Sequence, residues 1–439
     1  MKLPEHILAC LDALENAGFA AYCVGGCVRD AVLGRTPQDY DICTAALPEQ
    51  TEAVFSDRKL VLAGKKHGTV GVVFGKEVVE ITTFRTEGAY LDNRHPEWVE
   101  FVSDVDADLA RRDFTVNAMA YSPYRGFADP FGGREDLKKG ILRAVGDPVQ
   151  RFREDSLRIL RGLRFAARFG LAIEETTFRS MISQRHLMDN LARERVFEEL
   201  CKFLLSVTDP REVVACGPVL AAAIPELEPM LGFDQRSPHH AYDVFTHTAH
   251  VVTGVPKELP LRWAALLHDV GKVPSFTQDA TGRGHFYGHA PLGAEMADAI
   301  LLKLKAPTAL RQQAVFLIEK HMTRLQPERK FLRRWLGRLG EDTIRQLLIL
   351  QEADMGSKGT GKPEEMDQFS QIRDLLDQIL AEDACLSLKD LAVNGHDLMT
   401  LGIRGKAIGE TLNALLELVL EEELPNEKEA LLSRAATIK

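Results

Sequence analysis

The hydrophobic spacing of this chain changes once along its length, and that change limits the architectures open to it. Up to about Val145, short β-branched runs alternate with helical stretches: DYDICTA, GTVGVVFG and EVVEITTFR read as strands with turn residues between them. Ahead of them Ile7, Leu8, Leu11 and Leu14 recur at helical intervals, Gly18 stops that helix, and Ala20 to Val24 reads as a strand. Past Gly25 and Gly26, Val28 to Leu33 reads as a short helix. Beyond Val145 strand patterns largely vanish, and amphipathic runs such as DSLRILRGLRFAARFG and ARERVFEELCKFLL take over. The expected fold class is therefore α+β, a mixed head followed by helices. No fixed-period repeat occurs, which argues against a solenoid.

Within the head, VGGCVRD sets Gly25 and Gly26 between a strand and a helix, where missing side chains let backbone amides approach phosphate oxygens. Arg29 and Asp30 follow on that helix. In QDYDI, Asp39 and Asp41 stand two apart at a strand start, so alternation puts both carboxylates on one face. Two such acids can share a pair of Mg²⁺ ions, the arrangement that stabilises attacking and leaving oxygens in phosphoryl transfer. Glu80, in VVEITTF, is a candidate third carboxylate. LARRDFTVNAMA offers Arg111, Arg112, Asp113 and Asn117, able to hold a triphosphate and a ribose hydroxyl through charge-assisted hydrogen bonds. EDSLRILRGLRF then presents Asp155, Arg158, Arg161 and Arg164, the arginines at steps of three along a drifting helix face. That stripe is either a solvated basic face or a recognition face. Cys23 and Cys27 flank the glycine pair without a partner cluster and read as packing residues rather than zinc ligands.

The glycine turn, the paired aspartates, RRDFTVNAM and EDxxRxxR, in this order, resemble the tRNA nucleotidyltransferase and poly(A) polymerase family, within it the bacterial class II CCA-adding enzymes. The resemblance covers about the first 205 residues. It implies a polymerase-β-like nucleotidyltransferase head over 1–144 and a helical neck over 145–207. It also implies that Asp39 and Asp41 bind Mg²⁺, that Gly26, Arg29 and Arg112 contact the nucleotide, and that Asp155 and Arg158 read the base. Gly25, Asp113, Asn117, Arg161 and Arg164 complete the expected nucleotide-binding set. Cytosine and adenine both place an amino donor beside a ring-nitrogen acceptor, which a carboxylate and a guanidinium match; guanine and uracil offer a carbonyl there instead. The implied partners are CTP, ATP and the 3′ end and acceptor arm of tRNA. The segment from Arg85 to Val102 resembles the loop the family uses when switching from C to A, favouring CCA or A addition over CC addition. A poly(A) polymerase or an A-adding enzyme would carry the same head motifs.

A second constellation lies further on. Seven of the 13 histidines, His239, His240, His247, His250, His268, His285 and His289, fall within 51 residues. His268 and Asp269 end the apolar run WAALLHDVGK, where ionisable groups following a buried helix face need partners, and a divalent metal is a natural one. With His247 in DVFTHTAH and Asp354 in LQEADMG, the set resembles the HD phosphohydrolase superfamily, whose extended pattern adds His289 and His321 for a second metal. This implies phosphatase or cyclic-phosphodiesterase activity. A 2′,3′-cyclic phosphate at a damaged RNA end would fit a head that needs a free 3′-hydroxyl. The alternatives are a body keeping only remnants of the motif, or an HD phosphohydrolase whose head senses nucleotides. The expected HD body spans 208–356, GSKGTGKPEE forms a loop, and a helical tail spans 366–439.

Lys plus Arg number 54 against 64 Asp plus Glu, a net charge of −10, so RNA contact must come from local basic patches. One candidate is Arg324, Arg329, Lys330, Arg333, Arg334 and Arg338; another is LGIRGKAIG, where Gly402, Gly405 and Gly409 accompany Arg404 and Lys406. Glu5, Asp12 and Glu15 interrupt the N-terminal apolar run, which reads as neither a signal-peptide core nor a membrane span. Seven scattered cysteines form no pairing framework and point to a reducing, cytoplasmic location.

Overall fold

The computed structural model describes residues 1–88, 98–238, 241–359, 363–382 and 385–437. The chain divides into two compact units, one of Met1–Thr208 with Ala215–Glu228, the other of Asp209–Val214 with Pro229–Lys439. The expected head and neck both fall in the first unit. Residues 215–228, expected in the body, pack with the first unit too, because apolar spacing marks a buried face without naming its partner.

In the first unit, α1 (Glu5–Asn16) buries Ile7, Cys10, Leu11 and Leu14, positions recurring at three and four residues, each contributing roughly 1.5–3 kcal/mol if fully transferred from water. The fully buried β1 (Ala21–Val24) leads into α2 (Gly26–Val32). With β2 (Asp41–Thr44), β3 (Leu60–Val61), β4 (Thr69–Phe74), β5 (Glu77–Thr83), β6 (Ala120–Ser122) and β7 (Gly126–Ala128) it forms a sheet in the order β3-β4-β5-β2-β1-β6-β7. β1 runs antiparallel to β2 and β6, whereas β2 and β5 are parallel. Tyr22, Val24, Cys43, Phe84, Leu109, Ala118, Ala120 and Val145 pack as one buried cluster. Three helices then carry functional side chains: α3 (Pro148–Glu154), α4 (Leu157–Phe169) and α5 (Arg193–Ser206). α4 buries Leu157, Ile159, Leu160 and Leu163 on one face.

The second unit is helical apart from the two-residue strands Thr277–Gln278 and Gly284–His285 among the described residues. Its main elements are α6 (Val244–Gly254), α7 (Leu259–Leu267), α8 (His289–Lys303), α9 (Thr308–Lys320), α10 (Arg329–Leu339), α11 (Glu341–Gly356), α12 (Pro363–Ala381), α13 (Gly395–Thr400) and α14 (Lys406–Leu420). Trp263 of α7 is fully buried. Leu398, Leu415, Val419 and Leu431 centre a separate tail core.

The basic stripe expected to face RNA is largely an interhelix clamp. Arg329 pairs with Glu382 and, at 2.7 Å, with Glu422; Arg334 meets Glu421 at 2.9 Å and Arg338 meets Glu417 at 3.1 Å. Arg333 is buried and donates to the Val419 carbonyl at 3.0 Å. Local spacing shows a basic face but not the acids that tertiary packing brings against it. Gly402 and Gly405, both at positive φ, turn the chain between α13 and α14, leaving Arg404 and Lys406 exposed. All seven cysteines are buried and none forms a disulfide. No helix among the described residues is long and apolar enough to cross a membrane.

Candidate nucleotide and metal sites

A polar cavity of about 390 Å³ in the first unit collects most of the expected nucleotide-binding residues. Gly25 lines it with φ +74°, a backbone conformation that calls for glycine; a Cβ there would press only on the movable Arg112 Nη1, at 3.0 Å. Asp41 opens β2 opposite Val24, and the β2–β5 register, Ile42 against Ile81, sets it beside Glu80. Asp41 is exposed at the cavity surface, yet the protein packed around it withholds enough water to raise its carboxyl above the usual range; Glu80 and Asp39 add repulsion, and Arg112 partly offsets it. Carboxylate oxygens are the ligands Mg²⁺ takes, and Asp39 and Glu80 both act on Asp41, but the three do not meet within 4.8 Å of one another as the triads of the second unit do. Asp39 lies exposed in the loop before β2 rather than on the strand, and it is not on the cavity wall. The alternation expected for the pair therefore does not apply, although the two charges still interact.

Deeper in, donors and acceptors alternate. Arg29 Nη1 donates to Asn117 Oδ1 at 2.6 Å, Asn117 Nδ2 donates to Asp113 Oδ1 at 3.1 Å, and Arg161 Nε and Nη2 donate to Asp113 Oδ2 at 2.9 and 2.6 Å. Burial alone would raise the Asp113 carboxyl, but the Arg161 guanidinium outweighs it and holds the group down at about 2. The Arg29 guanidinium also lies 4.1 Å from the Phe169 ring centre.

Asp155 and Arg158 share this cavity. Asp155 Oδ1 accepts from the Leu157 amide at 3.1 Å at the start of α4, and its Oδ2 lies 3.6 Å from Arg195 Nη2. Arg158 donates to Glu154 Oε2 and to the Arg111 carbonyl, both at 2.9 Å, so its guanidinium plane is fixed. Arg164 is not on the cavity wall; it meets Glu199 at 3.2 Å and ties α4 to α5. Each step of three residues turns a helix position back by about 60°, so two steps carry Arg164 off the face that Arg158 occupies. Phe165 and Arg195 line the cavity without having been singled out from the sequence. Phe165 is one of the buried apolar positions of the amphipathic α4, and Arg195 reaches the site only through the packing of α5. The central part of the Arg85–Val102 segment, 89–97, lies outside the described residues.

In the second unit all six expected HD residues meet as two triads, His247, His268 and Asp354, and Asp269, His289 and His321, each with ligand atoms within 4.8 Å of one another. The imidazoles share a single orientation. Nδ1 donates to a backbone carbonyl in every case: His247 to Ser357 at 3.2 Å, His268 to Ala265 at 2.9 Å, His289 to Phe286 at 2.8 Å and His321 to Ile318 at 2.6 Å. A carbonyl oxygen only accepts, so Nδ1 carries a proton in each ring and Nε2 is the atom turned inward, where His247 Nε2 lies 2.9 Å from Asp354 Oδ1 and His268 Nε2 lies 3.1 Å from Asp269 Oδ2. His247 and His268 Nε2 then lie 3.4 Å apart, and His289 and His321 Nε2 lie 3.3 Å apart. In the neutral form these nitrogens present lone pairs to one another, an arrangement that a proton or a metal cation between them relieves. Burial lowers His289 and takes His321 down to about 4, favouring the neutral ligand form. Burial would also lower His268, but Asp269 overrides it and raises that ring, so a proton and a metal compete for one Nε2. Asp269 Oδ2 lies 2.7 Å from Lys272 Nζ, yet it accepts no well-aligned hydrogen bond.

Gly271 makes the approach of α8 feasible, since a Cβ there would lie 2.3 Å from the His289 carbonyl oxygen. Mixed nitrogen and oxygen ligands suit several divalent ions. Of the other clustered histidines, His250 stacks on Tyr242 and His285 pairs with Asp279 at 2.8 Å, while His239 and His240 lie outside the described residues.

Comparison with known proteins agrees with the head geometry. Residues 21–143 match the family model "Poly A polymerase head domain", 170–208 match a polymerase A model described as a probable RNA and SrmB-binding site, and 292–435 match tRNA nucleotidyltransferase domain 2. A CCA-adding enzyme of Bacillus velezensis is 33% identical over 423 residues, 96% of this chain and 95% of its own. One from Streptococcus suis is 48% identical over 202 residues, 46% of this chain and 50% of its own. The crystal structure of the Bacillus stearothermophilus CCA-adding enzyme in complex with CTP is 28% identical, with a TM-score of 0.72, covering 100% of this chain and 98% of that one. Glycine turn, carboxylate cluster and EDxxR pair thus occur in a chain alike to these enzymes from end to end, and it belongs to the CCA-adding branch of the tRNA nucleotidyltransferase and poly(A) polymerase family.

Proposed function

We propose that this protein completes the 3′ end of tRNA by adding C, C and A from CTP and ATP in the cytoplasm. The observation that carries the reading is one cavity holding both the Asp41 carboxylate and the Asp155–Arg158 pair. The terminal 3′-hydroxyl of the RNA attacks the α-phosphorus; a new P–O bond forms, the bond to the β-phosphate oxygen breaks, and pyrophosphate leaves. Asp39 and Asp41, with Glu80 alongside, would hold Mg²⁺, which when bound would supply charge stabilisation to the attacking and leaving oxygens. Arg29 and Arg112 bind the triphosphate. Asp113 and Asn117 orient Arg161 and Arg29, so the cationic side chains keep fixed directions. Asp155 accepts from the exocyclic amino group of cytosine or adenine, and Arg158 donates to the adjoining ring nitrogen through N–H groups not used by Glu154 and Arg111. The test is Asp155→Ala, with single-turnover incorporation of each of the four nucleotides. Preference for CTP over UTP should fall at least tenfold, because a carboxylate facing a carbonyl no longer penalises the wrong base. Unchanged preference would remove Asp155 from base reading.

The two buried triads favour a second activity, metal-dependent hydrolysis of phosphate esters. The triads would hold two divalent ions, which supply charge stabilisation to the phosphate and its leaving oxygen. Water adds to phosphorus in a 2′,3′-cyclic phosphate, one ribose P–O bond breaks, and the freed oxygen takes a proton. Hydrolysis of the resulting monoester releases inorganic phosphate and restores a vicinal diol, whose 3′-hydroxyl the head can extend.

A further inference from the structure

In the sheet order the nucleotide cavity draws on the β1 and β6 side: Gly25 follows β1, Asn117 precedes β6, and Asp41 at the start of β2 is the last strand residue on its wall. Beyond Asp41 the sheet continues through β5, β4 and β3. Ile42 and Ile81 are buried partners across β2 and β5, so Asp41 and Glu80, one residue before each, share the opposite face. Register then sets Gly71 of β4 against Glu80, and Val61 of β3 against Gly71. Asp41, Glu80, Gly71 and Val61 thus form one row, about 14 Å long at the usual strand spacing.

The far part of this row is apolar and open. Val61 is 42% exposed, and Val78, two residues before Glu80 and therefore on its face, is 50% exposed. At Gly71 a Cβ would stand 2.9 Å from Val78 Cγ1 and 3.2 Å from Val61 Cβ, so the missing side chain lets the two valines close into a continuous surface. Isolated exposed apolar side chains are ordinary, whereas a contiguous patch beside acidic groups calls for a ligand. Basic groups flank β3 as well. Lys65 pairs with Glu49 at 3.2 Å and Glu52 at 2.5 Å, but Lys66 next to it is exposed, as is Lys59 immediately before the strand.

We propose that this open face seats the terminal nucleotide of the RNA being extended, an inference that rests on the nucleotidyl-transfer reading of the cavity. In-line displacement sets the attacking oxygen opposite the leaving pyrophosphate. With the nucleoside triphosphate on the β1 and β6 side of Asp41, the RNA end arrives from the β5 side, its 3′-hydroxyl at Asp41 and Glu80 and its base against Val61 and Val78. Lys59 and Lys66 meet the phosphates that precede it. An aliphatic surface touches the face of any base and offers no hydrogen bond to an edge. One seat therefore serves every RNA end on the way to CCA, while choice of the incoming base stays with Asp155 and Arg158.

Its test uses the full chain, tRNA transcripts ending before CCA, after the first C and after CC, and the double variant Val61→Ser with Val78→Ser. Both valines are exposed and off the cavity wall, so CTP affinity without RNA, read by calorimetry, should not change. The kcat/KM for RNA should fall about fivefold, by a similar factor on all three ends, as two apolar contacts are lost. Val61→Ile with Val78→Ile, which keeps the surface apolar, should recover most of that loss. An unchanged kcat/KM in the serine variant, or a fall confined to one end, would overturn the seat. In the wild type, 4-thiouridine as the last nucleotide should crosslink on irradiation to the peptides carrying Val61 or Val78, and crosslinks confined to α3, α4 and α5 would contradict it. If no transcript is extended, the nucleotidyl-transfer reading fails by itself. The crosslink then decides the seat: adducts at Val61 or Val78 that the serine variant loses uphold it, and their absence removes it as well.

Discussion

Asp113 shows how one buried charge organises the nucleotide cavity. Its carboxylate is held at about 2, against 3.8 for the ordinary group, so the folded state favours the ionised form. A carboxyl depressed in this way stabilises the fold above the unfolded pKa, and that contribution disappears as pH falls through the folded value. The window runs from about pH 4 down to about pH 2, and the difference corresponds to roughly 2 kcal/mol. Asp113→Asn should therefore cost about 2 kcal/mol at pH 7, with the gap from wild type closing as pH drops across that window, read from urea midpoints. A gap independent of pH would show that Asp113 acts through shape rather than charge. At this scale the sequence was informative wherever motif chemistry applied: Gly25, Arg29, Asp41, Asp113, Asn117, Asp155, Arg158 and Arg161 share one cavity. Arg164 and Asp39 depart from it for geometric reasons, helix drift and a late strand start. Phe165 and Arg195 were hidden because an amphipathic pattern reports burial and not the neighbour across the gap.

Among the elements, α10 illustrates the same limit. Its arginines read as a phosphate-binding stripe, yet Arg333 reaches the Val419 carbonyl of α14, Arg338 meets Glu417 on that helix and Arg334 meets Glu421 just past its end. Replacing buried Arg333 by leucine removes the donor from Val419, a loss of about 1–3 kcal/mol. Arg333→Leu should make the tail readily cleaved in limited proteolysis. It should leave the dependence of tRNA affinity on salt unchanged, whereas loss of a phosphate contact would reduce that log–log slope by about 0.7–0.9. A reduced slope with an intact tail would return α10 to RNA binding. Strands and helices themselves were legible, since β2, β4 and β5 follow from β-branched runs between turn residues, β1 from a short apolar run and α1 from three- and four-residue spacing. The assignment of 215–228 to the first unit was not, because it depends on which apolar faces meet.

Over the whole molecule, the two sites draw their residues from different compact units, the nucleotide cavity from the first and the triads from the second. Asp41→Ala should abolish nucleotide addition while Mn²⁺-dependent ester hydrolysis persists, and Asp269→Ala should do the reverse. Loss of both activities in either variant would show one coupled centre. The central claim is ordered addition, and it is tested most directly on tRNA transcripts ending before CCA, after the first C and after CC, each given CTP, ATP or both. With both nucleotides every transcript should grow to CCA and stop, and ATP alone should extend only the CC-ended one. A long A tract, or A added to the CC end with no C added to the shorter RNAs, would contradict this account in favour of a poly(A) polymerase or an A-adding enzyme.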